Sequence, residues 1–378
     1  MIQIKSPFQT VRRNGLFCTA GKVLWQKAPR TALLRARMVN NMKLTTLCYI
    51  EKDDKYLMIH RIKKKHDVNK DKWIGIGGKF ERGESPEECI LRETKEETGL
   101  TLTSYRLRGV LTFVYNDDDD EMEYIFLYTA DGFTGELADC NEGTLEWVPK
   151  EQIDSLNLWE GDRIFHYLLD EDAPFFSLKL CYRDDLLKEA VLDGKPMELL
   201  DLLDENGEPS GQVRERTLVH LHGDWHRTSH VWVVRKRAGG GYDLLLQKRS
   251  SEKDSFAGCY DISSAGHIPA GEDDLESALR ELREELGIIA EPDDLRFVGV
   301  HDGRYEGEFH GRIFKNHEKS RVFVYEKPVE IETLTLQKEE VESVKWMKIE
   351  DVLAAVKARD PGYCLFEDEI EMLDEVLR

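Results

Sequence analysis

No apolar run in this 378-residue chain approaches the roughly 20 residues that a membrane-crossing helix requires, so the expectation is a protein in solution. C-x-x-C pairs are also missing. The seven cysteines (Cys18, Cys48, Cys89, Cys140, Cys181, Cys259 and Cys364) are odd in number. That pattern argues for buried or free thiols in a reducing cytoplasm rather than a disulfide framework or a zinc site. Acidic residues are absent from residues 1–41, which hold eight cations: Lys5, Arg12, Arg13, Lys22, Lys27, Arg30, Arg35 and Arg37. With an overall charge of −21, the remainder then carries −29. So acidic a body repels nucleic-acid backbones and anionic membranes. A phosphate-bearing ligand would need metal cations to bridge it to the protein.

The basic segment 1–41 reads as an extension with no packed element of its own. A transit-type presequence and upstream sequence read through to Met42 are the alternatives. From Met42 the pattern becomes regular. "LTTLCYIEK" and "KYLMIHRIK" read as strands about the turn "KDD", and "WIGIGGKF" is a glycine-rich bend. A helix over Ser85–Thr98 follows, then strands near "YRLRGVLTFVY" and "EYIFLYTADGF". "PKEQIDSLNLWEGDRIFHYLL" reads as mainly helical and "FFSLKLCYRDDLLKEAVL" as a closing hairpin. The Asp117–Asp120 run reads as a solvated hairpin tip. A second round begins at "MELLDLLDENGEPSGQVRERT", where Asn206-Gly207 signals a turn. It continues through the strands "HVWVVRKR", "YDLLLQKR", "RVFVYEK" and "VESVKWMKI" and a helix at "IEDVLAAVKARD". The expected layout is an extension over 1–41, a domain over 42–193 and a second over 194–378.

Each round carries a helix crowded with glutamate. In the first, Ser85 is an N-cap, Pro86 suits the first helical position, Glu88 completes a capping box and Gly99 stops the helix. Glu93, Glu96 and Glu97 then stand at i, i+3 and i+4 and share a face. Like charges at that spacing weaken a helix. In the second, Leu275, Leu279, Leu282 and Leu286 form an apolar stripe, and Glu281, Glu284 and Glu285 lie off it. A solvated, Glu-rich surface is the bland alternative. The functional one is a site for a hard, oxygen-seeking cation such as Mg²⁺, which relieves the repulsion and holds substrate phosphates.

The full pattern resembles a Nudix box. Gly78, five residues, Glu84, seven residues, then Arg92-Glu93-Thr94-Lys95-Glu96-Glu97-Thr98-Gly99-Leu100 matches it, with Thr94 as a soft departure from an aliphatic. Gly266, Glu272 and Arg280-Glu281-Leu282-Arg283-Glu284-Glu285-Leu286-Gly287-Ile288 repeat it 188 residues on, too long a period for a solenoid. The resemblance implies an α/β protein of two tandem Nudix folds, each a mixed sheet sandwiched between helices. It implies hydrolysis of nucleoside diphosphate derivatives with Mg²⁺ or Mn²⁺. Glu93, Glu96 and Glu97 would ligate metal in the first box and Glu281, Glu284 and Glu285 in the second. Glu96, Glu97, Glu284 and Glu285 would be the catalytic carboxylates, and Glu84 with Arg92, like Glu272 with Arg280, would shape the junction.

The first domain resembles Nudix enzymes that hydrolyse oxidised purine triphosphates such as 8-oxo-dGTP. That resemblance implies Glu142, five residues before Trp147, as a further metal ligand. It implies Trp159 stacking on the base and Asp162 reading its edge; a core role for Trp159 stays open. Ile74 and Gly161 stand where relatives carry an Asn and a second Asp of the base pocket.

The second domain resembles Nudix proteins related to isopentenyl-diphosphate isomerase through "LLDENGEPSG", "HLHGDWHRTSHVW" and "FAGCYDISSAGH". Matching positions imply His226, His267 and also His220 with Glu318 at a metal site, structural histidines being the alternative. Ala265 replaces the isomerase cysteine, Cys259 is not a substitute, and Asn316 replaces a metal-binding glutamate. Without the thiol the isomerase lacks its proton donor. Glu339 or Glu340 before Trp346 is a further carboxylate, although the spacing differs from Glu142–Trp147. The expected function is therefore hydrolysis in both domains, of small nucleotide or organic diphosphates, in the cytoplasm. No nucleic-acid polymer or membrane partner is expected, and a homodimer is open. Isomerisation by the second domain, or one domain serving as a silent nucleotide sensor, are the alternatives.

Overall fold

The computed structural model describes residues 43–64, 67–116 and 122–378. The basic segment 1–41, Cys18 and the Asp117–Asp120 run lie outside the described residues. The first half forms β1 (Lys43–Lys52), β2 (Lys55–His60), β3 (Trp73–Ile74), α1 (Pro86–Thr98), β4 (Thr101–Tyr115) and β5 (Glu123–Thr134). It continues with β6 (Thr144–Pro149), α2 (Glu160–Asp170), β7 (Phe176–Arg183), β8 (Leu186–Leu192) and β9 (Lys195–Pro196). Among the described residues these strands make one nine-stranded sheet, ordered β3-β2-β1-β5-β4-β7-β8-β9, with β6 also on β2. It is mixed: β1 runs parallel to β5 and β4 parallel to β7, and the remaining pairs are antiparallel.

Side-chain alternation along the central strands builds two cores. Cys48, Ile50, Leu57 and Ile59 face α1 through Ile90. Tyr49, Tyr56 and Met58 face α2 through Ile164, Phe165 and Leu169. The sheet thus sits between helices, as expected.

The second half forms β10 (Leu199–Leu203), β11 (Pro209–Glu215), α3 (Arg216–His222), β12 (Trp225–Lys236), β13 (Tyr242–Arg249), β14 (Tyr260–Asp261) and β15 (Ser264–His267). Then come α4 (Asp274–Leu286), β16 (Leu295–Phe309), β17 (Arg312–Tyr325), β18 (Val341–Lys348), α5 (Ile349–Lys357) and α6 (Glu367–Leu377). The main sheet runs β14-β13-β12-β17-β16, with β15 on β12 and β18 on β13. Val231, Val233 and Leu245 pack on Leu282 and Leu286 of α4. Trp232, Val234, Leu244 and Leu246 pack on Ile349 and Val352 of α5 and Ile370 and Leu373 of α6. The sandwich is repeated.

Some elements differ from the sequence reading. The stretch from Lys150 is not one helix: a 3-10 turn over Lys150–Ser155 is separated from α2 by extended residues. Tertiary pairing breaks it, because the Asn157 carbonyl accepts the Trp73 amide at 3.0 Å. The helices α3 and α6 and the long strand β16 have no counterpart in the sequence reading. Between the halves, Asp193 (φ 49°) and Gly194 (φ 78°) turn the chain so that β9 pairs back onto β8. The β10–β11 hairpin then packs Leu199 and Val213, with Leu218 of α3, into the core that holds α2. Arg214 binds Glu160 at 2.9 Å and His222 binds Asp154 at 3.1 Å across the same seam.

Candidate functional site

Each glutamate helix is fixed in register by its caps. In α1 the Ser85 hydroxyl accepts the Glu88 amide and the Glu88 carboxylate accepts the Ser85 amide, while Gly99 ends the helix at φ 76°. In α4 the Asp273 carboxylate accepts the Leu275 and Glu276 amides, and Gly287 closes it at φ 71°. Each helix lies against a glycine loop that is itself bonded to the central strand: the Thr46 amide donates to the Gly78 carbonyl at 2.9 Å.

The carboxylates divide into distinct environments. Glu93 lies on Gly78, where an added Cβ would stand 2.5 Å from its carboxyl carbon. Glu97 is buried and accepts the Gly77 amide at 3.0 Å. Burial pushes its carboxyl up to about 7; the Gly77 amide opposes this and neighbouring Glu93 adds to it. Glu96 is exposed and reached by Arg92 at 3.3 Å. The second site repeats the arrangement. Glu281 lies on Gly266, Glu285 is buried and accepts the Ala265 amide at 3.1 Å, and Glu284 is half exposed. Burial likewise raises Glu285 to about 7 and raises Glu281.

The box residues Glu84 and Arg92, expected to shape the junction, pair with each other. Both oxygens of Glu84 grip Arg92, at 2.6 and 2.9 Å, and Arg92 also donates to the Lys79 carbonyl at 3.0 Å and to Glu93 at 2.8 Å. The guanidinium holds Glu84 down at about 2. In the second copy Arg280 holds Glu281 at 2.7 Å but Glu272 only at 3.7 Å, because Glu272 is also engaged by the Ser277 hydroxyl at 3.1 Å.

Glu142 is engaged by cations: one oxygen pairs with Arg61 and the other with Lys64. The counterpart is Glu340, which pairs with Lys253. The odd spacing from Glu340 to Trp346 has a local cause. Trp147 lies opposite Leu57 in one sheet and Trp346 opposite Leu245 in the other, but a bulge near Lys248 and Arg249 absorbs one residue of β18. Nothing in the sequence marks that bulge. Glu339 has no such ion pair among the described contacts.

Trp159 caps α2, is 4% exposed and meets Phe113, Tyr115 and Tyr182 edge-on. Its indole N–H donates to Asn69 at 2.8 Å, and the Lys72 ammonium stands 4.4 Å over the ring. Asp162 is one turn on; burial raises its carboxyl to about 7 against the pull of Lys72 and Arg163. Gly161 has a steric reason: a Cβ there would stand 2.5 Å from Leu180 and 2.7 Å from the Tyr182 hydroxyl. Ile74 pairs with Ile59 at the sheet edge.

The second site opens into a cavity of about 670 Å³. The glutamates Glu281, Glu284 and Glu285 line it, as do Glu318, Arg249, Lys253 and Glu340. His220 and His267 line it too, and with His226 they converge, candidate ligand atoms all lying within 4.8 Å of one another. The His226 Nδ1 faces the Asp224 carbonyl at 3.0 Å, which leaves Nε2 as the free lone pair. Nε2 of both His220 and His226 is buried without a partner. Burial, and then the neighbouring imidazoles, hold His220 down to about 2 and His226 to about 3, so both rings are neutral near pH 7. Orphaned, neutral imidazole nitrogens fit a divalent transition metal; the all-oxygen glutamate sets fit a harder ion.

Other functional groups here escape sequence reasoning. His230 lies 3.0 Å from Glu369, and those two carboxylates, Glu369 and Glu318, raise it to about 9 against the effect of burial. Its even spacing from His226 was the available signal; Glu369 carried none. Cys364 lines the cavity, but its thiol donates to the Tyr260 carbonyl at 3.4 Å and burial pushes its pKa far up. Cys259 donates instead to the Pro361 carbonyl.

Comparison with known proteins gives the family context. The model described as NUDIX domain matches residues 42–169 and 226–366. Nudix hydrolase 3 of Arabidopsis thaliana is 38% identical over 179 residues, 45% of this chain but 22% of that protein. The chain therefore spans under a quarter of that relative's length. An uncharacterized Nudix hydrolase of Clostridium acetobutylicum is 41% identical over 41% of this chain and 72% of that one. An oxidized purine nucleoside triphosphate hydrolase of Danio rerio is 28% identical over 34% of this chain and 83% of that one.

Proposed function

Since this chain belongs to the Nudix family, whose boxes it carries twice, we propose that both copies are working pyrophosphohydrolases with different substrates. The carrying observation is the repeated pair of a glutamate seated on a box glycine and a second glutamate buried against a loop amide. In the first domain, 42–193, Glu93, Glu96 and Glu97 would hold Mg²⁺ or Mn²⁺, with Glu142 joining once it leaves Arg61 and Lys64. In the second, 194–378, Glu281, Glu284 and Glu285 would do so. A bound divalent cation neutralises phosphate charge and lowers the pKa of water.

The protein's own groups supply the rest. Glu97 and Glu285 would accept the proton of the attacking water, with Glu96 and Glu284 as exposed partners. The water oxygen bonds to phosphorus, the anhydride P–O bond breaks, and the bridging oxygen leaves with the departing phosphate group. In the first domain the reading is a modified purine nucleoside triphosphate, 8-oxo-dGTP being the model, cleaved to monophosphate and pyrophosphate. Trp159 and Asp162 would receive the base, which requires Lys72 to leave the indole face. The partial resemblance to the Danio rerio hydrolase supports this reading, while Ile74 and Gly161 weigh against oxidised guanine specifically.

In the second domain the three histidines would hold a further, imidazole-seeking cation at the rim of the glutamate cavity, for a nucleoside or organic diphosphate. That cluster also favours a second reading, isomerisation of isopentenyl diphosphate. Ala265 at the thiol position weighs against it, and Cys364 is tied to a backbone carbonyl. No helix among the described residues is long and apolar enough to cross a membrane. We read the protein as cytoplasmic, with small-molecule partners and no nucleic-acid polymer; a homodimer fits this reading.

The test is a screen of nucleotide and organic diphosphates with Mg²⁺ on the full chain, on Glu97→Gln and on Glu285→Gln. Each variant should lose a different set of substrates. Full retention of every activity in both variants would sink the reading. Loss in the first alone would make the second domain a sensor, and isotope exchange into isopentenyl diphosphate would establish the isomerase.

A further inference from the structure

The cavity of the second site is lined by a carboxylate with neighbours on its own strand and on both adjacent strands. Glu318 on β17 is 7% exposed. The Asn316 amide donates to its Oε2 at 2.8 Å. Nε2 of His230 makes an ion-pair contact with its Oε1 at 3.7 Å. Across the sheet, Gly303 is its register partner, and a Cβ there would stand 3.0 Å from the Glu318 Cγ and Oε1. A box glycine makes room for Glu281 in the same way, so Glu318 occupies a space kept for a carboxylate. Its parallel neighbour on β12 is His226 of the histidine cluster.

His230 is in turn anchored from behind. Its Nδ1 lies 3.0 Å from both oxygens of Glu369, which α6 delivers and which is 1% exposed. The Trp232 indole N–H donates to the same carboxylate at 2.8 Å, and His301 stands 3.5 Å from it. An apolar helix face would pack on this sheet more cheaply than a buried glutamate. Ile370 and Leu373 of the same helix do pack that way. Glu369 is therefore surplus to packing, and each of its partners is a ring nitrogen, His230 among them lining the cavity.

We propose that His230, anchored by Glu369, positions the Glu318 carboxylate beside the His220–His226–His267 cluster, so that the last helix sets the ligand sphere of a cation bound there. This rests on the reading that the histidine cluster binds a divalent cation. The chain Glu369–His230–Glu318 is a support of the kind that orients ligands around metals, where loss of the supporting group typically weakens binding 10–100-fold.

The experiment uses the full chain and Co²⁺, whose visible d–d bands report the ligand set. Wild type should bind Co²⁺ with a visible spectrum that His226→Ala abolishes. His230→Gln and Glu369→Gln should each weaken Co²⁺ about tenfold or more and shift the bands. In a Glu318→Gln background, His230→Gln should add nothing further, whereas a merely structural role makes the losses additive. No visible binding by wild type, or binding untouched by His226→Ala, overturns the cation reading and this inference with it. Binding by wild type, with affinity and bands unchanged in both His230→Gln and Glu369→Gln, overturns this inference alone. Thermal melts identify a variant that fails to fold; the Glu318→Gln cycle can then be completed with whichever of the two positions folds.

Discussion

A Cβ on Gly78 would stand 2.5 Å from the carboxyl carbon of Glu93, and Gly266 meets Glu281 in the same way. Neither glycine carries a left-handed φ, so an alanine would be tolerated by the backbone and rejected by the carboxylate. Gly78→Ala and Gly266→Ala are expected to displace one glutamate each. Mg²⁺-dependent turnover of the affected domain should fall about tenfold or more, as for loss of a well-placed ligand. Melting temperature should change little. Steady-state kinetics beside a thermal melt checks this; unchanged turnover with full Mg²⁺ affinity would contradict it.

The buried glutamates give a pH dependence with a definite sign. Burial raises Glu97 and Glu285 from the ordinary glutamate range to about 7. A carboxyl with a raised folded-state pKa favours the fold while protonated. Its contribution is full below about 4.5 and is lost as pH rises through about 7. For each group the loss is at most on the order of 3 kcal/mol. The cation-free protein should therefore melt at lower temperature at pH 8 than at pH 6, and Mg²⁺ should restore most at pH 8. Melts in EDTA and in Mg²⁺ across pH 5–8 test this, and Glu97→Gln/Glu285→Gln should flatten the slope.

Much of this architecture could be read from residue order. The box spacing, the caps at Ser85, Asp273, Gly99 and Gly287 and the apolar stripe of α4 are local patterns, and local patterns survive folding. What could not be read depends on pairing across the sheet. The bulge that aligns Glu340 with Glu142 is a register event. The convergence of His220 from a helix with His226 and His267 from two strands is a tertiary event, so the sequence left those histidines open between ligand and structural roles. The engagement of Glu142 by Arg61 and Lys64, and the steric exclusion of a side chain at Gly161, also depend on neighbours distant in the chain.

Arg92 is a test of geometry against charge. Two of its donors grip both oxygens of Glu84 and a third reaches Glu93. Arg92→Lys keeps the charge and loses the planar fork. It is expected to lower first-domain turnover with a small change in melting temperature, because the lysine keeps one charge-assisted bond to Glu84 and loses only the second. Arg280→Lys should cost less, since its Glu272 contact is already 3.7 Å long. Parallel kinetics on the two variants checks the ranking, and equal losses would reject it.

Arg214 joins the two halves at a sensitive place. It donates to Glu160 at 2.9 Å and pairs with Asp224, and its side chain is mostly buried. Glu160 lies between Trp159 and Asp162 at the start of α2, so the second half braces the segment proposed to receive the base. Arg163 also holds Glu160 at 3.1 Å and so keeps a partner in the variant. Arg214→Ala is then expected to cost about 1–3 kcal/mol, the range for hydrogen bonds to charged groups. It should raise the first-domain KM for a purine triphosphate more than it lowers kcat, because the glutamate box is untouched. A fall in kcat at constant KM would place the coupling at the box. An unchanged KM together with an unchanged melt would show that the brace carries no energy.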